Sequence, residues 1–487
     1  MVTRWLNLCL GLLVAQAILP DPVFAKDLPP AVKQKLQQAG IPDSAVGVYV
    51  HEIGASQPMI VVNADVAMNP ASVMKLLTTY AGLELLGPAY TWPTMLYANG
   101  KITDGVLKGD LVIKGYGDPK LDLENFWSLI YRLRQTGLHE ISGNLVLDHT
   151  HYDIPEDDPG DFDGQPYRTY NILPEALLVN YRTSSVHLFP QPEANKVRAV
   201  VDPLPESLHV QNNLKLTQGD CGDWRSALSV DVQKSNEEEN NFIITLDGSY
   251  STQCGKRSYL LSLYDSASYT RDLFRRLWTQ QGGLFHGDVV IGKAPAGISP
   301  IKTYQSPPLV EVIRGINKFS NNIAARQLYL TLGTAGSTRP DKSPATLAKS
   351  EAALKQWLTT KQLNFPELIV ENGSGLSRKE RISAKHMGQI LQAAFKSPVM
   401  PEFISSLPIA AVDGTMRNRL TGTPVSGMAH MKTGTLYNVV ALAGYMLDSS
   451  SQRIIVVFFV NHDKADQARR AIDSLLHWIY DRPPQTD

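Results

Sequence analysis

Net charge, cysteine and long apolar runs are all scarce in this 487-residue chain, and each scarcity excludes something. With 46 Lys and Arg against 47 Asp and Glu, the formal net charge of -1 offers no electrostatic case for nucleic acid or an anionic membrane surface. Neither is expected as a partner. The N-terminal apolar run, Trp5 to Leu19 after Arg4, is shorter than the roughly 20 residues needed to cross a bilayer. Val23-Phe24-Ala25 then places small residues where a signal peptidase reads. This predicts an export signal over residues 1–25, cleaved after Ala25, with no transmembrane anchor left afterwards. Of the three cysteines, Cys9 leaves with that signal, so Cys221 and Cys254 meet an oxidising compartment and are expected to form one disulfide rather than two buried thiols. Its loop would stabilise by about 3 to 4 kcal/mol in the chain-entropy model. Low-complexity tails and solenoid repeats are absent, and the length suffices for two or three cores.

What is present begins with a local pattern that recurs three times: Gly109-Asp110-Leu111-Val112-Ile113, Gly143-Asn144-Leu145-Val146-Leu147 and Gly287-Asp288-Val289-Val290-Ile291. Each reads as a tight turn feeding a buried strand. The first two flank a helical stretch, Asn125 to Gln135, whereas a long gap precedes the third. If the three strands share one sheet, the gap holds an insertion. Its stretch from His187 to Arg257 alternates polar and apolar residues and reads as a small β module. Beyond Ala296 the pattern turns helical, over Leu309 to Lys318, Asn322 to Leu332, Pro344 to Lys361 and Ala384 to Phe395. Two strand candidates follow, His430 to Met446 and the nearly continuous apolar run Arg453 to Val460, expected to be covered on both faces. The last helix, Asp463 to Tyr480, lines up Ala468, Ile472, Leu475, Leu476 and Ile479 to pack on that sheet.

Three short motifs carry chemistry. Ser72-Val73-Met74-Lys75 opens an expected amphipathic helix running to Leu86, with hydroxyl and amine one turn apart on a shared face. The positive end of the helix dipole favours an alkoxide at Ser72 and a neutral Lys75. Alone this is weak, since roughly two Ser-x-x-Lys matches arise by chance in such a chain, and Ser299 to Lys302 is another. Ser320-Asn321-Asn322 supplies a second hydroxyl and an amide, though it also fits a helix N-cap. Lys432-Thr433-Gly434-Thr435 is the sharpest, with about 0.1 chance matches expected, and it sets a Lys and a Thr on a core strand. His149-Thr150-His151-Tyr152-Asp153 resembles part of a metal site, but no further ligands gather around it in the sequence, so no metal is expected.

In their order, the motifs resemble the penicillin-binding D-alanyl-D-alanine carboxypeptidases, in particular the class C low-molecular-mass, DacB-like group. Gly115-Tyr116-Gly117-Asp118-Pro119, Asn372 to Arg378 and Asp413-Gly414-Thr415 extend the likeness over nearly the whole mature chain. The group's insertions between first and second motifs match the long separation of Ser72 from Ser320. The resemblance implies an α+β fold, an antiparallel sheet flanked by helices, with two nested accessory domains. Its division would be residues 26–92 and 296–487 catalytic, 93–186 and 258–295 accessory, and 187–257 a nested β domain. It implies a cofactor-free serine D,D-peptidase acting on peptidoglycan stem peptides, with β-lactams as covalent inhibitors. Ser72, Lys75, Ser320 and Asn322 would be catalytic, and Lys432, Thr433, Gly434 and Thr435 would bind substrate. Ser72 and Thr435 N–H groups would form the oxyanion hole. Asn372 to Arg378 is expected as a cleft wall. In this group an acidic accessory residue is thought to read the amino group of a diaminopimelate side chain; here Asp157, Asp158, Asp161 and Asp163 crowd that stretch without a clean match. The rival readings are a β-lactamase and a catalytically weak peptidoglycan-binding sensor.

Overall fold

The structure, a computed structural model, describes residues 27–204, 208–234, 242–262, 265–334 and 343–482. The expected signal over residues 1–25 lies outside them. Arg453–Asn461 shows why the architecture forms: its side chains are apolar on both sides and alternate between two cores. Ile455, Val457 and Phe459 face one core; Ile454, Val456, Phe458 and Val460 face the other. Fully burying such a side chain contributes about 1.5–3 kcal/mol, so this strand anchors both layers. It is central in an antiparallel sheet ordered Ala429–Leu436, Val439–Leu447, Arg453–Asn461, Val46–Glu52 and Ile60–Val62. Helices Pro30–Ala39 and Arg469–Asp481 cover one face, the latter with Ile472, Leu475, Leu476 and Ile479. A helical layer including Lys75–Leu86, Leu309–Phe319, Asn322–Leu332 and Ala384–Lys396 covers the other. This is the expected α+β arrangement.

Two expectations change here. The segment His430 to Met446 is two strands, not one: Tyr437 and Asn438 turn the chain, Asn438 at φ 66, and Lys432 pairs with Ala443 across the hairpin. The helix after Ser72 is not amphipathic, since every residue from Lys75 to Leu83 is buried. It lies inside the helical layer rather than on its surface, and a centrally placed helix needs an apolar circumference.

The repeated turn-strand units sit side by side. Leu111 to Ile113 pairs in parallel with Leu145 to Leu147, which pairs with Val289 to Ile291, within one seven-stranded sheet. That sheet also takes in Lys302–Gln305, antiparallel to Pro93–Thr103, so it reaches ten residues past position 295, where the sequence division ended it. Between its second and third repeats lie Thr183–Gln191, Lys196–Asp202 and Arg257–Ser262 in one small sheet and a second sheet centred on Phe242–Ser251. Cys221 and Cys254 are joined, with Cα atoms 4.7 Å apart, closing a loop of sequence separation 33. Among the described residues no helix is long and apolar enough to cross a membrane.

Candidate active site

The nucleophile segment is built on a constrained loop. Asn69 bonds the Ala71 N–H through Oδ1 and the Ser377 carbonyl through Nδ2, while Asn461 grips both its backbone N–H and C=O. Ala71 then takes φ 46, sparsely populated for a residue with a Cβ, and a tight turn over Ala71–Met74 leads into the helix at Lys75. Held this way, Ser72 is half-buried and Lys75 fully buried beneath it.

Lys75 Nζ lies 3.0 Å from Ser72 Oγ and 2.7 Å from Asn322 Oδ1, and it also donates to the Ser374 carbonyl. Burial first, then the charge of Lys432, hold its ammonium well below the usual lysine range. The neighbours decide what a neutral amine does here. Two are oxygens that only accept, and they use both remaining N–H groups, so the lone pair is left for the Ser72 hydroxyl.

Ser320 ends Leu309–Phe319 in the left-handed region, φ 58, and Asn321 caps the next helix by accepting from the Ala324 N–H at 3.0 Å. Thus the cap reading and the site reading of Ser320-Asn321-Asn322 hold together: the cap turns the chain so that its two neighbours face Lys75 and Lys432. Asn322 Nδ2 donates to the Tyr170 carbonyl at 3.2 Å. Lys432 Nζ donates to Ser320 Oγ at 2.9 Å and to the Thr433 carbonyl at 2.8 Å. Burial brings its pKa down to about 7. Thr433 Oγ1 bonds Thr415 Oγ1 at 2.8 Å, and Thr435 Oγ1 accepts from Arg469. Gly434 passes against the Pro70–Ser72 backbone, where an added Cβ would stand 2.7 Å from the Pro70 carbonyl oxygen. These contacts bring Ser72, Lys75, Ser320, Asn322, Lys432, Thr433 and Gly434 together, and Thr435 follows on the same strand.

The contacts of other segments were not legible in the sequence. Ser374 contributes a backbone carbonyl, which no side-chain motif announces; the signal was the run Asn372 to Ser377, whose turns are knit by Asn372 and Ser377 side chains. Lys318 and Asp413 form a largely buried pair at 2.6 Å, and Gly414 at φ 56 packs on the Lys318 carbonyl, which explains Asp413-Gly414-Thr415 as a brace under Thr433. Asp157, Asp158 and Asp161 line a cavity of about 520 Å³ together with Arg326, Asn372 and Arg378. Asp163 instead bonds Tyr170 and Asn171. Arg378 lies 4.5 Å over the Phe162 ring. His149 faces Glu175 at 3.5 Å, and His151 packs on Tyr116.

The D-alanyl-D-alanine carboxypeptidase DacB of Haemophilus influenzae is 26% identical over 442 residues, 90% of this chain and 89% of the relative. A D-alanyl-D-alanine carboxypeptidase of an Actinomadura species is 27% identical over 429 residues, 84% of this chain and 77% of its own. The crystal structure of penicillin binding protein 4 from Haemophilus influenzae superposes with a TM-score of 0.75 at 25% identity, covering 93% of this chain and 99% of that one. A second structure of that protein holds a β-lactam. Because the match to the family spans residues 28–479, bounds that take in the whole five-stranded sheet and all three motifs, the chain belongs to the D-Ala-D-Ala carboxypeptidase 3 (S13) family.

Proposed function

We propose that the protein is a serine D,D-peptidase that hydrolyses D-Ala-D-Ala ends, D-Ala cross-links or both in peptidoglycan stem peptides, and that penicillins acylate it. The observation that carries this is the buried Lys75 Nζ, 3.0 Å from Ser72 Oγ and flanked by the accepting oxygens of Asn322 and Ser374, so that as a neutral amine it would turn its lone pair to Ser72. Lys75 takes the Ser72 proton as Oγ attacks the carbonyl of the penultimate D-alanine, forming a tetrahedral oxyanion opposite the Ser72 and Thr435 N–H groups. Collapse breaks the C–N bond, and the proton that Lys75 took from Ser72 is relayed to the leaving amine through Ser320, which takes up one proton as it gives one and is held by Lys432. Water then cleaves the ester and restores Ser72. Asn322 orients substrate amides, Lys432 attracts the terminal carboxylate, and Thr433 hydrogen-bonds it. The cavity beside Asn372 supports a reading of the stem-peptide side chain in which Asp157, Asp158 or Asp161 meets an amine and Arg378 a carboxylate. The signal expected over residues 1–25 and the Cys221–Cys254 bond support an oxidising, periplasmic location.

Fluorescent penicillin should label the wild type covalently and leave Ser72→Ala unlabelled; equal labelling of both overturns the mechanism. A defined pentapeptide should release D-alanine. Many rapid turnovers of nitrocefin would instead place the chain with the β-lactamases.

A further inference from the structure

The loop that presents the Ser374 carbonyl to Lys75 is closed by a residue outside the three motifs. Glu380 is fully buried, and its Oε1 accepts from three successive backbone N–H groups, Glu371 at 3.2 Å, Asn372 at 3.1 Å and Gly373 at 3.1 Å. Gly373 in turn offers its carbonyl to Thr78 Oγ1 at 2.7 Å, on the nucleophile helix one turn beyond Lys75. Ser377 Oγ accepts from the Lys379 and Glu380 N–H groups and donates to Glu371, locking the other end.

A neutral amide oxygen would serve as well for gathering three N–H groups, so the clamp alone does not account for a buried charge. The surroundings do. Among the described residues Glu380 Oε2 has no hydrogen-bond partner, and the cations whose fields reach Glu380 are Lys75 and Arg326, the latter with a buried, unpaired Nε. Lys75 also faces Lys432, of like sign. Tyr329, with its hydroxyl unpaired, stands nearby, and Glu371 is occupied by Lys379 and Ser377. Glu380 is thus a fully buried carboxyl group set beside Lys75 and Arg326, whose protonated forms repel one another.

We propose that Glu380 is a positioning residue for acylation: it holds the 371–375 loop in the shape that sets the Ser374 carbonyl on Lys75, and its charge offsets that of Lys432 and Arg326 at the same amine. This rests on Lys75 acting as the base. Burial pushes the Glu380 carboxyl up, while its three N–H donors favour the anion, and the anion in turn favours a protonated Lys75.

Two variants of the full chain separate the two roles. Glu380→Gln keeps an oxygen for the clamp and removes the charge; Glu380→Ala removes both. The rate of acylation by fluorescent penicillin is measured over about pH 5 to 9. In Glu380→Gln, Lys75 loses its proton more readily, so the acid limb moves to lower pH by roughly 0.5 to 1 unit. In Glu380→Ala acylation falls at every pH by about tenfold or more, as a small displacement of catalytic groups does. An acid limb in Glu380→Gln coincident with the wild type overturns the proposal, as does wild-type acylation by Glu380→Ala. Should circular dichroism show Glu380→Ala unfolded, the limb of Glu380→Gln decides alone. A wild type that never labels removes the base mechanism itself, and this proposal with it, whereas a labelled wild type with unmoved variants removes only the role of Glu380.

Discussion

In the proposed mechanism Lys75 and Lys432 each need the opposite protonation state from the other. Lys75 works as the neutral amine, so acylation should rise with pH as its depressed pKa is passed. Lys432 attracts a carboxylate only as the cation, and its pKa of about 7 means that the free enzyme loses that charge as pH climbs beyond neutrality. The expected profile for carboxylate-bearing ligands is therefore bell-shaped, with capture falling by roughly tenfold per pH unit well above the upper limb. A D-alanyl-D-alanine amide, which lacks the carboxylate, should show the acid limb without the alkaline one. Measuring kcat/KM for the acid and the amide over the same range checks this; identical alkaline limbs would detach Lys432 from carboxylate binding.

Among elements, the loop 372–378 is the most exacting. Gly375 sits at φ 78 with an added Cβ 1.9 Å from the Ala71 carbonyl oxygen and 2.7 Å from the Ser72 nitrogen, both rigid backbone. Gly375→Ala should reduce penicillin acylation by about a hundredfold while costing on the order of 1–3 kcal/mol of stability, because the clash moves the nucleophile rather than opening the core. Acylation rates and thermal unfolding read the two effects separately. This loop also marks where sequence reading stopped. Ser72, Lys75, Ser320 and Lys432 carry side-chain chemistry that a spacing can announce. Ser374 offers only its backbone carbonyl, and Glu380 is brought by the fold under a turn seven to nine residues upstream. The terminal strand was legible because both its faces are apolar, and the final helix because its buried positions follow a helical period. The hairpin at Tyr437-Asn438 was not, since no glycine marks it and the apolar pattern runs straight through the turn.

For the molecule as a whole, the distribution of cores sets how it should unfold. Two apolar clusters sandwich the five-stranded sheet, and a separate one runs from the seven-stranded sheet through the disulfide-bearing sheets. Calorimetry should resolve two transitions. Acylation by penicillin should raise only the one belonging to the cleft, since a ligand stabilises the structure it binds. Reduction of Cys221–Cys254 should lower only the other, by up to about 3–4 kcal/mol in the chain-entropy account, with penicillin labelling retained. A single transition moved by both treatments would mean that the cores unfold as one unit.

Ala429–Leu436 is the outermost strand of its sheet, and among the described residues its outer side is met near one end, where the Met431 N–H reaches the Pro408 carbonyl and the Ala429 carbonyl accepts from the Ala410 N–H, and at the Thr433 carbonyl, which accepts from Lys432 Nζ. By alternation Thr433 and Thr435 aim their backbone groups the same way, toward the cleft. An open margin of this kind accepts another chain by β-augmentation, ladder to ladder. On the proposed function, admission would be filtered by backbone shape: an extended peptide would zip along Thr433 and Thr435, while one held in a helix or a tight ring, however small, has no row of amides to offer.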